Sequence, residues 1–220
     1  MSALLPRGSR SLVGRLRRAL DLSERYGERC GGPVLLVGAV LGSGVVQLAS
    51  GPLGQTSRFS LELLILLMLK LTGPMLVAIL AMALLLPLWL AEERPEASGP
   101  GVLMVPAAGL AGALLQLMLL LAALMGGLLA SPRADLIGEW SDLLSGLQWA
   151  DVLRSMLRAA LFLAGIGAWT LWRGRHGLRA ERSRELLTSN LLVEGLMVLM
   201  SLKLAWIMAI EPLRLSAGAS

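Results

Sequence analysis

Five long apolar runs, joined by short polar connections, dominate this chain of 220 residues. Hydrophobic residues make up 55% of it, and its mean hydropathy is +0.71. A segment of about 20 mainly apolar residues is long enough to cross the hydrocarbon core of a bilayer. No water is available there for backbone N–H and C=O groups, so each crossing must satisfy them internally as a helix. The first run is Pro33–Ser50 (PVLLVGAVLGSGVVQLAS). The second stretch, Phe59–Leu90, is too long for one simple crossing and contains Lys70 and then Gly73-Pro74. Proline lacks an N–H and clashes with the preceding turn, so a break or kink is expected there. The stretch therefore reads as an approach helix over Leu61–Leu71 followed by a crossing over Met75–Leu90. The third run is Gly101–Ala130, the fourth Val152–Trp172 and the fifth Leu186–Ile210. The predicted fold class is an all-α integral membrane protein with five transmembrane helices. An amino-terminal interfacial helix and a short outer amphipathic helix complete it.

Arginine placement predicts the orientation, because basic residues collect on the cytoplasmic side. The amino-terminal segment carries Arg7, Arg10, Arg15, Arg17, Arg18, Arg25 and Arg29. The connection after the fourth run carries Arg173, Arg175, Arg179, Arg182 and Arg184. Five crossings put both segments, with Arg94, on one side and leave Arg58, Arg133 and Arg214 on the other. The expected location is a bacterial inner membrane, with the amino terminus cytoplasmic and the carboxyl terminus periplasmic. Three regions follow: a basic segment over 1–32, a five-span domain over 33–210, and an outer tail over 211–220. In the basic segment Leu12, Val13, Leu16, Ala19 and Leu20 recur at helical spacing around Arg15, Arg17 and Arg18. That pattern suits a helix in the membrane interface with its arginines on anionic headgroups.

Composition narrows the function. The net charge of +5 is explained by orientation, so it does not point to nucleic acid. One cysteine, Cys30, rules out an intrachain disulfide,. His176 is the only histidine, which leaves no His/Cys cluster for a metal,. No phosphate-cradling GxxxxGK[ST] occurs, so any ATP hydrolysis belongs to another chain. No Ser/His/Asp set or pair of intramembrane carboxylates points to an enzyme. No cofactor is expected in this chain itself.

Ionisable groups inside spans are costly and serve as functional candidates by default. Here they are Lys70, Arg158, Glu194 and Lys203. Glu194 and Lys203 are too far apart along one helix to pair directly. Each is expected to face a neighbouring helix, a partner subunit or a wet cavity, and Lys203 is also long enough to snorkel. Gly38, Gly42 and Gly44 form a small-xxx-small pattern suited to close helix packing,. Gly126-Gly127 serves either packing or termination. In the outer connection, Leu136, Trp140, Leu143, Leu144 and Leu147 share one helical face, fit to dock a periplasmic partner or to lie in the interface,.

Three motifs then carry a resemblance. Trp149–Gly174 reads WADVLRSMLRAALFLAGIGAWTLWRG, with Asp151, Arg158, Phe162 and Trp172-Arg173-Gly174 at characteristic spacing. Lys70-Leu71-Thr72-Gly73-Pro74 precedes an apolar span, and Thr188-Ser189-Asn190 opens the last one. Their order over residues 10–210 resembles the MlaE/YrbE-type permeases, membrane subunits of ABC transporters that move lipids with MCE-domain proteins. The resemblance implies a phospholipid path near Lys70, Thr72, Gly73, Pro74, Arg158, Glu194 and Lys203, with Arg173 and Arg175 among the headgroup or cytoplasmic contacts. It implies an ABC ATPase holding ATP and Mg, an MCE-domain periplasmic protein and a second permease subunit as partners. The chain also departs from the family. The family's coupling helix, which docks into the ATPase, is replaced by the short acidic loop Ala91–Gly101, containing Glu92, Glu93, Arg94 and Glu96. The family's Glu before Leu-Gly-Pro is Leu71 here, and its acidic residue in the last span aligns with Lys203. A divergent permease paired with a better-equipped partner is expected. A non-transporting assembly subunit is the alternative.

Overall fold

The computed structural model describes residues 7–50, 63–92, 101–131, 149–179 and 184–217. All of these except Thr72 and Ser131 are helical, and no strand occurs among them. The elements are α1 (Arg7–Ser50), a π turn (Leu67–Leu71), α2 (Gly73–Glu92), α3 (Gly101–Ala130), α4 (Trp149–Arg179) and α5 (Arg184–Ala217). Each of the five long helices contains a segment long and apolar enough to cross a membrane. The chain is a multi-pass, all-α membrane protein. The connection over 132–148, expected to hold the short amphipathic helix, and the loop residues Glu93, Arg94 and Glu96 lie outside the described residues.

The register of side-chain contacts gives the helix directions. Gly38 lies against Leu119, Gly42 against Ala123, and Val46 against Gly127, so α1 and α3 run parallel. Gln116 meets Ser155 while Gly112 meets Ala159 and Gly167 meets Ala108, so α4 runs back along α3. Helix α5 is antiparallel to α2, since Lys203 meets Met75 and Gly195 meets Met82. It is also antiparallel to α4, through Leu202 on Gly165 and Trp206 on Arg158. Helices α1, α3 and α5 therefore point one way, and α2 and α4 the other. The start of α1, the end of α4 and the start of α5, where the arginines gather, fall at one end of the bundle.

No helix break falls at Pro33. Helix α1 is a single helix of 44 residues with Pro33 inside it. At about 1.5 Å per residue it is about 66 Å long, roughly twice the hydrocarbon thickness of about 30 Å. Packing explains the continuity. Tyr26, Cys30, Val34, Gly38, Gly42 and Val46 recur every four residues and are all buried. This seam passes Pro33 without a change of phase, while Pro33 itself sits on the exposed side. Tyr26 packs edge-on against Trp89 of α2 at 6.2 Å, extending the seam to the arginine-rich end.

Small residues let α1 approach α3. A Cβ on Gly42 would overlap the Ala123 carbonyl, and one on Gly38 would lie 2.8 Å from Leu119 O. Gly126 faces the Ala39 backbone in the same way, so the glycine pair near the end of α3 serves packing. Gly44 differs from the expectation: it is exposed, and a Cβ there would meet nothing within 4 Å. It is two residues beyond Gly42, which turns it to the far side of the helix.

Candidate functional site

A regular α-helix over residues 67–74 would leave Lys70 O without a donor, because Pro74 has no N–H to give. The chain resolves this with the π turn over Leu67–Leu71. Thr72 N–H donates to Leu67 O at 2.9 Å, one residue further back than in an α-helix,. The Thr72 hydroxyl donates to the same carbonyl at 3.0 Å. Helix α2 then begins at Gly73, with Leu76 N–H on Thr72 O at 2.9 Å. The predicted break at Gly73-Pro74 is thus present, in the form of a π turn rather than a simple kink.

The break deprives two carbonyls of their α-helical donors. Met68 O loses the Thr72 N–H, and Lys70 O faces Pro74. Irregular backbone is tolerated at membrane depth only where protein or water satisfies it. Here side chains from other helices do so. Gln116 of α3 donates through Nε2 to Met68 O at 3.4 Å and to Ser155 Oγ of α4 at 2.9 Å. Arg158 of α4 donates through Nη1 to Lys70 O at 3.2 Å. Its guanidinium also lies 5.2 Å from the centre of the Trp206 ring of α5, within cation–π range,. Gly73 is required for this closeness. A Cβ there would overlap Met68 O and lie 2.6 Å from Gln116 Nε2. Two residues further into α2, Met75 receives the Lys203 ammonium on its sulfur at 2.8 Å.

Of the residues singled out from sequence, Lys70, Thr72, Gly73, Pro74 and Arg158 thus meet at one hub, with Lys203 beside it. Lys70 enters through its backbone carbonyl, while its side chain is exposed. Glu194 belongs elsewhere. Arg173 of α4 forks onto its carboxylate, Nε and Nη2 each at 3.1 Å, and Trp169 Nε1 donates to it at 3.2 Å. Arg173, expected among the headgroup or cytoplasmic contacts, is therefore the counter-ion of Glu194. Trp172 stacks between Trp169 and His176 at 5.1 and 5.2 Å, extending this aromatic ladder along α4. Arg17 and Arg18 are exposed, and Arg15, Arg175 and Glu92 lie within helices.

Gln116, Ser155, Trp169 and Trp206 escape the sequence reasoning. One signal was available: Gln116 is the only strongly polar residue in the 30 residues of α3. A lone amide in such a run must find a partner on another helix. No group of three or more His, Cys, Asp or Glu residues suited to a metal occurs among the described residues. Comparison with protein-family models, curated proteins and solved structures finds no match for this chain.

Proposed function

We propose that this chain is a permease subunit of an ABC-type lipid transport complex in a bacterial inner membrane. The cargo is a phospholipid, and the chain forms one half of a permease heterodimer. A separate ABC ATPase holds ATP and Mg, and an MCE-domain protein receives or delivers lipid on the periplasmic side. The amino terminus is cytoplasmic, in keeping with the arginines at the start of α1 and the end of α4,. The observation that carries the reading is the interrupted second helix. Transporters place broken helices where polar groups must act at membrane depth, and here the break gathers Arg158 and Lys203 from two other helices. Cations in such surroundings hold an anionic headgroup strongly. Affinity purification from native membranes, followed by intact-complex mass spectrometry, tests this reading. It should show one copy of this chain with a second permease, an ATPase, an MCE-domain protein and bound phospholipid. Two copies of this chain as the only permease would overturn the heterodimer.

One observation favours the alternative of an assembly subunit. Arg158 and Glu194 are engaged by neighbouring helices of the same chain, as structural polar groups are. Replacing Lys70 and Lys203 by leucine separates the two readings. Loss of lipid transfer in an intact complex supports a transport role, and unchanged transfer supports the assembly role.

A further inference from the structure

We infer that α3 and α4, beside the interrupted helix, hold one bridging hydroxyl group, donor and acceptor at once, between Gln116 and Ser155. This inference goes beyond the transport reading and does not depend on it. Both side chains are only 1% exposed, so each of their polar functions needs a partner within the protein,. The amide of Gln116 has two N–H donors and one carbonyl acceptor. Its nitrogen serves Met68 O at 3.4 Å and Ser155 Oγ at 2.9 Å. Its oxygen, Oε1, has no hydrogen-bond partner among the described residues. Turning the amide over gives no relief, because Oε1 would then face Met68 O, acceptor against acceptor. Ser155 accepts from Gln116, so its own proton points elsewhere,.

A single partner that donates to Gln116 Oε1 and accepts the Ser155 proton completes both side chains,. An ammonium group donates but cannot accept, and a phosphate diester accepts but cannot donate. A hydroxyl does both. Two sources share that chemistry: an internal water, which typically bonds such buried groups, and the alcohol of a lipid headgroup. Bridging also explains why a half-satisfied amide persists beside a break that already leaves backbone carbonyls in need of donors.

High-resolution electron cryo-microscopy of the full chain, reconstituted separately in phosphatidylcholine and in phosphatidylglycerol, tests the inference. Phosphatidylcholine has no free headgroup hydroxyl, whereas phosphatidylglycerol has two. The expected result is density about 2.8 Å from both Gln116 Oε1 and Ser155 Oγ. An isolated peak in both lipids identifies water, and density continuous with lipid in phosphatidylglycerol alone identifies the headgroup alcohol. Either supports the bridge. Absence of density in both lipids overturns it, as does an amide turned so that Oε1 accepts directly from Ser155. The double variant Gln116→Met, Ser155→Ala removes both anchoring groups and should lose the peak. A peak persisting there also overturns the inference. If that variant fails to fold, the two wild-type maps decide.

Discussion

At the scale of single residues, neighbours separate the glycines that look alike in sequence. Gly42 touches the Ala123 backbone, whereas Gly44 faces open space. Forcing an extra group into a packed interface costs about 1–3 kcal/mol, so Gly42→Val should lower thermal stability in detergent clearly. Gly44→Ala should change stability by less than about 0.5 kcal/mol. Fluorescence-monitored melting of both variants checks this pair, and equal behaviour would contradict the packing. Arg158 makes a second case. It looks like a free charge inside a span, yet it closes a backbone carbonyl left open by Pro74. Arg158→Leu leaves that carbonyl unpaired, at a cost of about 1–3 kcal/mol. Arg158→Lys should recover only part of this, since an ammonium lacks the planar fork and stacks less well on Trp206,.

At the scale of elements, the π turn and α2 form a unit with two partners. A regular helix through residues 67–74 would need an N–H at position 74 and space for the turn at 73. Pro74→Ala restores an N–H that can reach Lys70 O and so competes with Arg158. The expected outcome is a straighter second helix, read as a changed distance between spin labels on cysteines placed at the exposed positions Leu66 and Ala83. Spin-label distances identical to wild type would show that the break is imposed by α3 and α4 rather than by proline. Gly73→Ala acts in the opposite sense. Its methyl group meets Met68 O and Gln116 Nε2, so it should destabilise the hub even though alanine favours helix,.

At the scale of the whole molecule, the bundle buries its helices unequally. Only 17% of the apolar window of α5 is buried, against 56% for α2. The exposed apolar faces of α1 and α5 then form surface suited to lipid or to other membrane helices. The alternation of directions makes a topological prediction. Cys30 is buried and is the only cysteine, so single cysteines can be added against a quiet background. Glu24→Cys, in the amino-terminal half of α1, should react with an impermeant thiol reagent from one side of the membrane only. Leu129→Cys near the end of α3 should react from the opposite side only. Labelling of both from the same side would rule out the five-crossing arrangement.

The sequence by itself determined the fold class, the five crossings, the break before α2 and the end that gathers arginine. Each of these follows from local properties: hydropathy over about 20 residues, the missing proline N–H, and the charge of connecting segments. The limits of α3 at Gly101 and Ala130 were legible for the same reason, since Pro100 and Pro132 bracket the run,. Tertiary structure decided which polar groups meet. Lys70 and Arg158 are 88 residues apart, and Gln116 and Ser155 are 39 apart. Their meeting depends on the rotation and offset of packed helices, which small residues such as Gly73 and Gly112 allow. The same packing decided that α1 runs unbroken past Pro33, because a seam buried every fourth residue outweighs one absent hydrogen bond. It also paired Glu194 with Arg173 across α4 and α5. Hydropathy is a property of the segment, whereas hydrogen-bond satisfaction in a membrane is a property of the assembled bundle.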